Sequence, residues 1–113
     1  ASTLQQLRER VQRDRDSEVR FVSLLALTAA GDRDSATLDA ARRDGDPQVR
    51  RAAVALSRTW LSDPHPMVRW QALRVAGDCQ RAAQHVNDSS EHVRLLAIDL
   101  LGEKRCDAAP LQA

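Results

Sequence analysis

The phrase that most limits what this chain can become is "SDPHPMVRWQALRVAGD", residues 62–78, because the sequence contains three more versions of it. Registered on a Val-Arg pair, the copies fall at Val19-Arg20, Val49-Arg50, Val68-Arg69 and Val93-Arg94. An aspartate stands five residues before each valine, at Asp14, Asp44, Asp63 and Asp88. A small residue stands four after it, at Ser23, Ala53, Ala72 and Ala97. The tails agree too, since "VRWQALRVAGD" and "VRLLAIDLLGE" match position by position in residue type. Self-similarity on this scale belongs to repeat proteins, in which each unit buries its apolar face against its neighbour and none stands alone.

The repeated phrases read as helices. "TLQQLRERVQR", from Thr3 to Arg13, places Leu4, Leu7 and Val11 on one face. A second helix is expected over 17–30, closed by Gly31, with Val19, Val22, Ala26 and Leu27 turned toward a neighbour. A short helix over 35–43 follows. Asp46 then caps a helix over 47–60 whose first position is Pro47, where a missing N–H does no harm. The same entry recurs with Pro66 for a helix over 66–76 that ends at Gly77. A short helix over 78–86 leads to the last long one, over 91–101, capped by Ser90 and stopped by Gly102. Residues 1–103 thus form the array, and 104–113 read as a frayed tail or the start of a further repeat.

The valines stand 30, 19 and 25 residues apart. Thirty residues accommodate a pair of antiparallel helices with their turns, and twenty-five the same unit with a shorter first helix. Nineteen leaves no room for a full first helix. The expectation is that the helix through Trp60 serves as the first helix for the one that follows; the alternative is a missing helix and a bend. The chain also begins inside a helical pattern and closes on "AAPLQA", which reads as an excerpt from a longer array or as trimmed ends.

Composition supports helices and narrows the partners. Alanine and leucine dominate the apolar residues, with one Phe, two Trp and no Tyr, a balance that favours closely approaching helices over strands. The formal net charge is +1, so no bulk charge attracts nucleic acid, although a local basic stripe would not register in the sum. No apolar run is long enough to span a membrane. Cys79 and Cys106 show neither metal-ligand nor framework spacing, so reduced thiols and a cytoplasmic location are expected, with the nucleus left open.

The form D-x-x-x-x-V-R-x-x-A-hydrophobic-x-x-hydrophobic-G resembles the HEAT repeat, especially the short repeats of phycobilisome-lyase-type HEAT-like proteins, over about residues 4–103. The resemblance implies an all-α, right-handed α-solenoid of antiparallel helix pairs. It also implies that the turn aspartate bonds to its own turn and to arginines of its own and adjacent repeats. The positions matching that ladder are Asp14 and Arg20, Asp44 and Arg50, Asp63 and Arg69, and Asp88 and Arg94. Arginines committed in this way have few donors left for a ligand.

Catalytic constellations are not expected. His65 occupies the cap slot that Asp16, Asp46 and Ser90 fill in the other copies, and His92 follows Glu91 without a second ligand pair one turn on. Deoxyhypusine hydroxylases, a HEAT-like enzyme class, carry His-Glu directly after the Val-Arg pair to hold two irons. Here those positions read Phe21-Val22, Arg51-Ala52, Trp70-Gln71 and Leu95-Leu96, and none supplies a metal ligand. Neither Cys79 nor Ser17, Ser23 or Ser57 has a base at a meaningful spacing. No cofactor is expected.

The leading expectation is therefore a non-enzymatic scaffold that binds another protein. One alternative is a HEAT-like module that cradles a nucleic-acid backbone, as in proteins resembling the alkylpurine glycosylases. Another is a bilin-lyase-type enzyme subunit. The register that turns Val49, Ala52, Ala53 and Leu56 inward points Arg51 and Arg58 away, with Phe21, Trp70 and Arg74 in adjacent copies. These five residues are the candidate partner-binding strip, since Trp and Arg are common interface anchors. The competing reading packs Trp70 across a helix junction beneath an arginine. Terminal repeats without a polar cap also leave self-association open.

Overall fold

A computed structural model describes residues 2–57 and 62–106, with the side chain of Ser57 excepted. Seven helices and no strand occur among them: α1 (Thr3–Arg13), α2 (Ser17–Ala29), α3 (Ser35–Arg42), α4 (Pro47–Ser57), α5 (Pro66–Ala76), α6 (Cys79–Gln84) and α7 (Glu91–Glu103). The expected continuation of α4 through Trp60, on which the 19-residue spacing turns, lies outside the described residues, as does the tail from 107 onward. The chain divides into two compact units, Ala1–Ser57 and Arg58–Ala113.

In the first unit α1 packs on α2 and α3, and α4 packs on α2 and α3 in turn, so two helix pairs lie side by side. Val11, Leu24, Leu27, Ala41, Val49 and Ala53 form the core, with Leu7, Phe21, Leu38, Ala52 and Leu56 packed around them. Each Leu removed from water here contributes about 1.5–3 kcal/mol. Alanine at positions 41 and 53 lets neighbouring helices approach closely. The second unit repeats the plan with α5, α6 and α7 in mutual contact. Leu73, Ala82, Val93, Ala97, Leu100 and Leu101 form its core, and Trp70, Ala83, Val86, Leu96 and Cys106 pack against it.

Helix entries are made by side chains that accept backbone N–H groups. Ser2, Asp16, Asp34 and Asp78 cap α1, α2, α3 and α6, and Asp46 accepts the Gln48 N–H at 2.9 Å at the start of α4. His65 caps α5 through Nδ1, which accepts the Met67 N–H at 3.1 Å. The imidazole nitrogen takes the accepting role that a carboxylate oxygen fills at the aspartate caps. Ser90 holds the cap position of α7 but makes no side-chain cap bond.

Helix ends differ from one another. After α2, Gly31 takes a φ of 79°, while its N–H bonds to Thr28 O and the Asp32 N–H to Leu27 O. This is a Schellman closure on a residue without a Cβ. Gly77 is required for a different reason: a Cβ there would collide with the Leu73 carbonyl oxygen and press on Leu100 Cδ1 at 2.8 Å. Gly102 does not stop the last helix. α7 runs through it to Glu103, and Arg105, at a φ of 50°, makes the left-handed turn. The same pair of closing bonds, Arg105 N–H to Gly102 O and Cys106 N–H to Leu101 O, ends α7.

That turn delivers Cys106 to the first residue of α6, where it forms a disulfide with Cys79, the Cα atoms 5.7 Å apart. The expectation of two unpaired, reduced thiols is thereby corrected, and with it the cytoplasmic location. A structural disulfide belongs to an oxidising setting, not to the reduced cytosol or nucleus.

A second difference concerns α2. Its buried residues are Ser23, Leu24 and Leu27, whereas Val22 and Ala26, expected to face a neighbour, are exposed. The equivalent positions in the next copy, Ala52 and Leu56, do pack inward against the core they share with α2. No described residue covers that flank of α2.

Candidate functional site

The four repeated aspartates sit in identical turns. Each Oδ1 accepts the N–H of the residue two ahead: Asp14 from Asp16, Asp44 from Asp46 and Asp63 from His65, each at 2.9 Å, and Asp88 from Ser90 at 2.8 Å. Each repeated arginine then folds back over its own turn. Nη1 donates to the carbonyl oxygen of Asp14 from Arg20 and of Asp44 from Arg50, both at 2.8 Å, and of Asp63 from Arg69 and Asp88 from Arg94, both at 2.9 Å. The Asp thus closes the turn and the Arg clamps it from outside.

The remaining edge of the guanidinium crosses to the next copy. In the first unit Arg20 Nε and Nη2 donate to the Asp44 carboxylate at 2.7 and 2.9 Å. In the second, Arg69 Nε and Nη2 donate to the Asp88 carboxylate at 3.0 and 2.9 Å. Planar two-point pairing of this kind is what selects arginine over lysine. A further fork, from Arg8 to Asp32 at 3.0 and 2.5 Å, ties α1 to the turn after α2. Nothing in the repeat register marks Arg8, and the sequence reading missed it. The legible signal was Gly31-Asp32 closing a helix, a pair written again as Gly77-Asp78.

These contacts set the charge states. Hydrogen bonding to Asp44 raises the Arg20 pKa, and that to Arg8 lowers the Asp32 pKa. Burial pushes the Asp88 carboxyl up, but the Arg69 fork, the Ser90 N–H and His85 together outweigh it and hold the group at about 2. His85 Nδ1 stands 3.1 Å from Asp88 Oδ2.

The strip residues are distributed unevenly. Phe21 is half-buried against the core of the first unit, and Arg51 on α4 is also half-buried. Arg58 lies outside the described residues. Trp70 packs against the core of the second unit, and the Arg74 guanidinium lies over its ring, 5.4 Å from the centroid. Arg74 itself is exposed. It lines a shallow recess with Gly77, Asp78, Arg81, Leu100 and Lys104. Arg81 is held there by Asp78 at 3.1 Å, while Arg74 and Lys104 have no carboxylate partner among the described residues.

No group of three or more His, Cys, Asp or Glu side chains able to hold a metal ion occurs among the described residues. No helix among them is long and apolar enough to cross a membrane. No family model, curated protein or solved structure matches the chain.

Proposed function

We propose that the chain is a HEAT-like, right-handed α-solenoid module that binds another protein and has no catalytic chemistry of its own. The observation that carries this reading is a division of labour among the cations. The repeated arginines spend their donors on turns and on the next copy's aspartate. Arg74 and Lys104 instead stand on an open recess whose wall includes Leu100. A cation stacked on a tryptophan beside apolar surface, with its outer donors uncommitted, suits an acidic segment of a partner.

The test uses Arg74→Glu and Lys104→Glu, because Trp70 is part of the core and its removal would confound folding with binding. Lys104→Glu is expected to keep the wild-type urea midpoint and Arg74→Glu, which also loses the stack on Trp70, to cost no more than about 1 kcal/mol. Each loses about tenfold in partner capture from a native extract, or roughly 1.4 kcal/mol. Equal capture by variants and wild type would remove the recess from consideration. Binding to duplex DNA with an affinity that falls steeply with salt would move the assignment to the nucleic-acid alternative.

A further inference from the structure

Both units contain the same joint between consecutive copies, and among the described residues one half of it is left exposed on α2 and the other half on α7. Counting from the repeat valine, the joint has a rear half at positions two and five of the leading copy. These are Phe21 and Leu24 in the first unit and Trp70 and Leu73 in the second. Its front half comprises positions three and seven of the following copy, namely Ala52 with Leu56, and Leu96 with Leu100. One fork closes each joint, Arg20 on Asp44 and Arg69 on Asp88.

The copy on α7 has a rear half that no described residue covers. Leu95 and Ile98 are 53% and 55% exposed, where Leu24 and Leu73, the counterparts of Ile98, are 1% and 0% exposed. Arg94 reaches the carbonyls of Asp88 and Ser89 through Nη1, and its Nε and Nη2 meet no carboxylate among the described residues. The first copy has the opposite half. Val22 is 52% exposed and Ala26 is exposed beside it. Among the described residues the Asp14 carboxylate, beyond its own turn bond, meets only Arg10 at 3.5 Å on the surface.

We propose that copies of this chain stack head to tail, with α7 of one seated on α2 of the next. Leu95 and Ile98 then cover Val22 and Ala26, and the Arg94 fork closes on Asp14 of the second copy, displacing Arg10. The occupant is specified twice over: its apolar positions must fall at the spacing of the two joints already built, and its carboxylate must sit where Asp44 and Asp88 sit. A second copy meets both conditions. Because the two surfaces differ, the contact is heterologous, and one copy can use both at once. The inference rests on the repeated joint and is independent of the recess on the second unit.

Val22→Glu blocks the front half and Ile98→Glu the rear half, and both positions are exposed, so the fold is retained; equal urea midpoints check this. Sedimentation from micromolar to millimolar concentration, under oxidising conditions, is expected to show wild-type mass rising with concentration. Each variant alone stays monomeric. An equimolar mixture of the two forms one joint, between the rear of the Val22→Glu copy and the front of the Ile98→Glu copy, and its mass rises twofold and stops there. A wild type that remains monomeric throughout overturns the proposal. So does a single variant that still associates, or a mixture that does not.

Discussion

Reducing the Cys79–Cys106 disulfide is expected to lower the unfolding free energy of the second unit by about 3–4 kcal/mol, on the chain-entropy scale for a loop of this length. The bridge spans 27 residues and joins the first residue of α6 to the turn after α7. α6 has six residues, too few to persist without tertiary support. Ala82 is its one fully buried residue, with Ala83 packed partly against the core. Opening the bridge therefore frees the element with the least packing to resist it. Trp70 packs against the core of the second unit, so its fluorescence in a urea titration of a Trp60→Phe background follows that unit directly. Cys79→Ser and Cys106→Ser should each reproduce the shift caused by a dithiol. Midpoints that coincide with and without reductant would show that the disulfide adds nothing to stability.

Asp88→Ala is expected to cost about 3–5 kcal/mol, the range for leaving one partner of a buried pair uncompensated. The side chain is 7% exposed and its partner Arg69 12% exposed, so solvent screens the pair little. Removal orphans the Arg69 fork, the Ser90 N–H and the contact with His85 together. The same contacts predict an acid limb. Asp88 titrates near 2 in the folded protein against an ordinary 3.8. Its contribution is fully present above pH 3.8 and is lost as pH falls through about 2, amounting to about 2 kcal/mol. Asp88→Asn should flatten that limb. A variant whose stability falls between pH 4 and 2 as steeply as that of wild type would locate the acid sensitivity elsewhere.

Much of the helical plan was legible because local chemistry determines it. Thr3–Arg13 and Pro66–Ala76 follow from apolar spacing, from Pro66 at the first helical position and, in the second case, from Gly77 at the close. Recurrence of the aspartate also foretold a shared turn, since an Asx bond needs only residues two apart. What was not legible depends on where helices lie in space. Val22 and Ala26 are exposed although the same register positions, Ala52 and Leu56, pack against the core in the next copy, so the register alone does not tell which flank is covered. Gly102 looked like a stop, yet α7 extends past it, and the turn falls on Arg105, a residue type that gives no such signal. Only that turn brings Cys106 to Cys79, which is why a 27-residue spacing carried no hint of pairing. Trp70 had two competing readings on the sequence, and its contacts include both the core and the Arg74 guanidinium.

One joint recurs, once in each unit, and a pair of double-mutant cycles measures it directly. Arg20→Met and Asp44→Asn form one cycle, Arg69→Met and Asp88→Asn the other, each followed by urea unfolding. The forks share geometry, with Nε and Nη2 on one carboxylate at 2.7–3.0 Å. Both cycles are therefore predicted to give a favourable coupling of about 1.5–3 kcal/mol, the range for hydrogen bonds to charged groups. Coupling near zero in either unit would contradict the claim that the recurring Asp and Arg hold consecutive copies together.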